Sequence, residues 1–204
     1  ATGGLWVGTL TGLYTADAGQ PSRAWSLVPG TEAMMVRAVA EADDGTLWIG
    51  TETDGVWRRE ARGGTPVRAS EDLPSPLVHA LAIDATGTLW IGLSNAGACA
   101  STDLRTLDGC LDASTSGDFP SDAVYTLRPG ADGDLWVGTT DRGGVRIRDG
   151  VASPLGPGDP ALARTWVTSI APTTDGAAWV GTSNGLARVG DGAVPTWVGL
   201  AEGL

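Results

Sequence analysis

Apolar residues in this chain fall in short runs separated by Gly, Asp, Asn, Ser and Thr, and one run recurs. Gly4-Leu5-Trp6-Val7-Gly8-Thr9 returns as Thr46-Leu47-Trp48-Ile49-Gly50-Thr51 and as Thr88-Leu89-Trp90-Ile91-Gly92-Leu93. It returns again as Asp134-Leu135-Trp136-Val137-Gly138-Thr139 and as Ala177-Ala178-Trp179-Val180-Gly181-Thr182. Successive tryptophans at 6, 48, 90, 136 and 179 stand 42, 42, 46 and 43 residues apart. Self-similarity at this period marks a repeat architecture, and no segment carries the 3.6-residue apolar period of a helix.

Each unit reads as four short strands. An apolar run precedes the Trp: Met35 to Val39, Leu77 to Ile83, Val124 to Leu127 and Val167 to Ile170. A tight turn follows at Asp44-Gly45, Thr86-Gly87, Asp132-Gly133 or Asp175-Gly176, dipeptides that tolerate the positive φ of hairpins. The Trp strand comes next, then a turn ending at Gly12, Gly55, Gly97, Gly144 or Gly185. Third strands begin at Leu13, Val56, Ala98, Val145 and Leu186; fourth strands lie at Ala24 to Val28, Pro66 to Arg68, around Cys110-Leu111, at Val151-Ala152 and at Thr196 to Val198. Four strands per repeat of this length is the period of a β-propeller. The expected fold is all-β, one propeller domain over residues 1–204, with blades near 1–28, 34–69, 76–113, 123–155 and 165–199. Trp6, Trp48, Trp90, Trp136 and Trp179 are expected to pack blade on blade, each burying about 150–250 Å². The Gly two residues after each Trp is expected to let neighbours approach closely.

The pattern Asp-Gly-x-Leu-Trp-(Ile/Val)-Gly-Thr-x-x-Gly-(Leu/Val), carried best by Asp44 to Val56, Asp132 to Val145 and Asp175 to Leu186, resembles the two-component regulator propeller repeat. Asp72-Leu73-Pro74 followed by Val78-His79-Ala80-Leu81 is similar to the segment that precedes it in that family. The resemblance implies an extracytoplasmic propeller of the kind found in sensor regions of bacterial hybrid histidine kinases, often paired seven-bladed rings that sense carbohydrate, or in stand-alone secreted proteins. The streptogramin lyase family has a similar Trp-rich propeller. Five repeats fall short of seven, and the first begins at Ala1 with no inner strand of its own, while the chain stops at Glu202-Gly203-Leu204. A fragment of a larger propeller is expected.

Composition adds three constraints. Net charge is −11, with 24 acids against 13 arginines and no lysine, which disfavours nucleic acid. No apolar run reaches the roughly 18–20 residues of a membrane helix. Cys99 and Cys110 can pair only with each other across what reads as a hairpin loop containing Asp103 and Asp108-Gly109. A disulfide, and with it an oxidising compartment, is favoured over two buried thiols.

Eleven residues before each Trp stand Arg37, His79, Tyr125 and Thr168, polar-capable side chains between apolar or small neighbours. With Trp166 they form a candidate ring for a sugar or carboxylate; the alternative is ordinary channel lining. The single histidine excludes a multi-His zinc site, no lysine means no P-loop, and Gly181 to Gly185 matches a nucleophile elbow only formally, because it lies between two strands. No catalytic residue, metal or cofactor is expected. The expected function is a non-enzymatic scaffold or accessory subunit that docks on another protein or a membrane-associated complex, periplasmic or extracellular and bacterial. A glycan or small-ligand sensor of a two-component system is the alternative, and a propeller lyase the remote one.

Overall fold

The computed structural model describes residues 4–17, 19, 24–69, 72–102, 106–130, 133–190 and 192–199. Asp103, Asp132, Ala1, Glu71 and the Glu202-Gly203-Leu204 end therefore lie outside the described residues.

Every described strand belongs to one of five antiparallel meanders. The first has three strands, β1 (Gly4–Thr9), β2 (Gly12–Asp17) and β3 (Ser26–Leu27). The second has four: β4 (Val36–Glu41), β5 (Leu47–Thr51), β6 (Val56–Arg59) and β7 (Val67–Arg68). The third holds β8 (Val78–Ile83), β9 (Leu89–Leu93), β10 (Ala98–Ser101) and β11 (Gly109–Leu111). The fourth holds β12 (Val124–Pro129), β13 (Leu135–Thr139), β14 (Gly144–Arg148) and β15 (Val151–Pro154). The fifth holds β16 (Val167–Pro172), β17 (Ala178–Thr182), β18 (Gly185–Val189) and β19 (Thr196–Val198). The Trp repeat is the second strand of each complete blade, and in the first blade it is the innermost strand present.

Inner strands lie side by side in the order β4, β8, β12, β16, and each packs also on the Trp strand of the blade before it. The core sits accordingly between blades rather than within one. One cluster joins Trp48 and Val56 to Val78, Leu81, Leu89 and Ile91; another joins Trp136 and Leu155 to Val167, Ile170 and Val180. Trp48 and Trp136 are 1% and 2% exposed, whereas Trp6, Trp90 and Trp179 are half-buried. The close approach at the glycines is made by a valine from the next blade. A methyl on Gly50 would come 2.6 Å from Val78 Cγ1, and one on Gly138 would come 2.5 Å from Val167 Cγ1, with the same relation at Gly8 and Gly92.

The threonine that ends four of the Trp strands closes the following turn, its hydroxyl donating to the carbonyl of Gly12, Gly55, Gly143 or Gly185. In the fourth blade the left-handed residue is Gly143, with φ 70°, at the same offset from its Trp as Gly55 and Gly97. Gly144, expected above to end this turn, is the extra residue and already belongs to β14. Backbone bonds then stitch blade to blade: the amides of Gly55, Gly97 and Gly143 donate to the carbonyls of Pro76, Asp122 and Thr165. Cys99 and Cys110 face each other on β10 and β11 and are disulfide-bonded, with Cα atoms 4.0 Å apart.

Candidate functional site

All four complete blades share one irregularity. Val36 pairs with Thr51 and Ala38 with Gly50, so Arg37 is an extra residue that the partner strand does not match. Register shifts of the same kind isolate His79 between Val78 and Ala80, Tyr125 between Val124 and Thr126, and Thr168 between Val167 and Ser169. A β-bulge takes one residue out of the ladder and re-aims its side chain. Here four successive bulges, one per inner strand, bring Arg37, His79, Tyr125 and Thr168 onto a single cavity of about 350 Å³.

Contacts at this cavity are specific. The Nε and Nη2 of Arg37 both reach Glu52 Oε2, at 2.7 and 2.6 Å. His79 Nδ1 lies 3.1 Å from the carbonyl of Val124 in the next blade. A carbonyl only accepts, so Nδ1 carries the proton and the neutral ring offers Nε2 as an acceptor. Partial burial pushes the His79 pKa below its usual value and the Arg37 charge adds to this, against the Val124 carbonyl and Glu52, which act the other way. Tyr125 meets His79 edge-on at 5.5 Å between ring centroids, and Trp166 meets Tyr125 edge-on at 4.9 Å. Trp166 is exposed and reaches the site through this Tyr125 contact. The Thr168 hydroxyl donates to the Gly181 carbonyl beside its bulge.

Sequence reasoning missed two groups. Arg128 lines the same cavity and is exposed; Glu52 holds Arg37. The signal for Arg128 was present: eight residues before each Trp stand Ala40, Ala82, Arg128 and Ala171, one arginine among three alanines. Ser183 of the elbow-like segment lies in the turn between β17 and β18, its hydroxyl 2.9 Å from that of Thr165. Among the described residues no group of three or more His, Cys, Asp or Glu is placed to hold a metal ion. Nor is any helix among them long and apolar enough to cross a membrane.

Residues 32–53 and 118–141 match the family model described as "Two component regulator propeller". Two segments of the chain thus carry the two component regulator propeller repeat. The matched repeats contain Arg37 and Glu52 in one segment, and Tyr125 and Arg128 in the other. No curated protein matches the chain. Among solved structures, the chain superposes on the extracellular domain of the hybrid two component system BT3049 from B. thetaiotaomicron, with TM-score 0.77 and 20% identity, covering 97% of this chain and 28% of that one. Virginiamycin B lyase from Staphylococcus aureus gives TM-score 0.75 at 16% identity, over 97% of this chain and 67% of that one. PorZ, a bacterial surface component of the type-IX secretion system of Porphyromonas gingivalis, gives 0.70 at 17%, over 98% and 33%. At these identities the likeness is one of fold. The chain spans about a quarter of the length of the B. thetaiotaomicron domains.

Proposed function

We propose that the chain is the ligand-recognising part of a bacterial extracytoplasmic sensor, binding a glycan or small polar molecule without turning it over. One observation carries the reading: four bulges in four separate strands converge chemically different side chains on a single cavity. A ring built only to pack would not need a guanidinium, an imidazole, a phenol and a hydroxyl at the same register. The Tyr125–Trp166 pair supplies aromatic surface of the kind that sugars and other polar ligands lie against, with polar groups beside it to fix orientation. The Cys99–Cys110 disulfide fits an oxidising compartment.

The sole histidine is its own reporter. A panel of soluble oligosaccharides and small organic acids, titrated into the chain and followed by the imidazole proton resonances of His79, should contain compounds that move those resonances saturably. Tyr125→Ala should abolish the response, and Val151→Asp, on the exposed outer strand β15, should not. A panel that leaves His79 unmoved would count against a sensor role.

The docking reading keeps one specific observation in its favour. Leu5, Val7 and Leu10, on β1 and the turn after it, are 38%, 42% and 68% exposed. A partner seated there should bury more than about 1,000 Å² and be released by Val7→Glu.

A further inference from the structure

We infer that the axial cavity is selective for a carboxylate-bearing ligand, and that the carboxylate of Glu52 competes with that ligand for Arg37. The inference rests on the proposed ligand-binding role and names the chemical class bound. The molecule carries a net charge of −11, yet the charged residues that line this cavity are Arg37 and Arg128, and none of its described lining residues is an acid. Acids outnumber arginines almost two to one in the chain, so a cavity lined by two arginines, with Glu52 on Arg37 as the acid beside it, runs against its composition.

The two arginines come from different blades, β4 and β12, with β8 between them. They stand at different levels of their strands, at the bulge and three residues beyond the corresponding bulge. A ligand that met both would have to span the intervening blade and three residues along the strands. Arg128 donates through Nη1 to the backbone carbonyl of Leu127 at 2.8 Å and has no carboxylate partner among the described residues. Its remaining donors are free to take an acid from outside.

Arg37 differs in having an acid already. Its Nε and Nη2 converge on one oxygen of Glu52, not one on each, so the bidentate fork that a guanidinium makes with a carboxylate is not completed. With side chains 42% and 28% exposed, the pair is of the solvent-screened kind that contributes little to stability. A ligand carboxylate that fills both donors displaces Glu52 at small cost. Neutral His79 beside it, with Nε2 as acceptor, suits a ligand hydroxyl next to the acid.

Galacturonate and galactose are a matched pair of probes, differing at one carbon as carboxylate against alcohol. Titrated into the full chain and read at the His79 resonances, galacturonate should bind at least about tenfold more tightly, as a charge-assisted pair requires. Arg128→Gln and Arg37→Gln should each reduce the ratio of galacturonate to galactose affinity. Glu52→Gln should tighten galacturonate several-fold, a gain of affinity that a damaged fold would not give. Equal binding of the two sugars, or a preference that survives both arginine substitutions, would overturn the carboxylate inference and leave the ligand-binding reading standing. Failure of both sugars to move His79 would remove the two together.

Discussion

Two side chains show how differently the same chemistry behaves at different depths. Asp134 is 2% exposed and accepts from Nε and Nη2 of Arg146, while Arg148 donates to both its oxygens. Hydrogen bonds from Arg148, and then those and the charge of Arg146, hold its carboxyl below the usual range although burial alone would raise it. Arg146 also lies over Trp136, 4.6 Å from the ring centroid, so acid, guanidinium and indole form one buried stack. In the fifth blade Arg188 pairs with Asp175, but with side chains 41% and 58% exposed. Asp134→Ala should therefore lower stability by about 3–5 kcal/mol, the effect of removing one member of a buried ion pair. Asp175→Ala should cost far less, because its exposed pair is screened by solvent; urea melts of the two variants decide, and similar losses would contradict this account. His79 belongs to the same scale. It faces Arg37, Glu52, the Tyr125 ring and the Val124 carbonyl, and its proton should titrate below the ordinary 6.5 in an NMR pH series. A midpoint at or above that value would mean that burial does not dominate there.

At the scale of strands, the repeat is a set of sockets. The glycine of each of the first four Trp strands receives the first valine of the next inner strand, and this contact sets how closely blades stack. Gly50→Ala should destabilise by about 1–3 kcal/mol through overpacking. Val78→Ala removes the atoms that the new methyl would strike, so the double variant should lose clearly less than the two single losses added together, as a double-mutant cycle would report. Strict additivity would place the strain elsewhere. These sockets were legible in the sequence because Trp-x-Gly recurs at fixed spacing, and so was the ring of Arg37, His79, Tyr125 and Thr168 through its constant offset from the Trp. The bulge that makes the ring was not legible, because a bulge is defined by what the partner strand lacks. Glu52 carries no repeat signal in the sequence, and only the fold sets it, just after β5, against Arg37 of β4. The turn before β14 could have been read to end at Gly143, which stands at the same offset from its Trp as Gly55 and Gly97.

Over the whole molecule, acid is the expected weakness. Asp44, Asp84, Asp112, Asp134, Asp159 and Asp175 all have pKa values lowered by hydrogen bonds, Asp112 to about 2 through Ser114 and Thr115. A carboxylate with a depressed pKa adds stability above its unfolded value, and that stability is lost as pH falls through the folded one. His79 has the same sign: the unfolded chain takes up its proton near 6.5 while the folded chain resists. Thermal midpoints should therefore decline in two windows as pH falls, a small one beginning near 6.5 and a larger one below about 4. Replacement of His79 by Asn should remove the first window and spare the second; a midpoint that stays level from neutral pH down to 3 would contradict both. The bulges have a further consequence at this scale. Each adds a residue that its neighbouring strand does not count, so selection for blade stacking acts on the valines, glycines and tryptophans while selection for the ligand acts on the uncounted positions. Arginine, histidine, tyrosine and threonine already occupy equivalent places in one chain. A lineage of such propellers can change what it recognises one blade at a time, with the frame inherited intact.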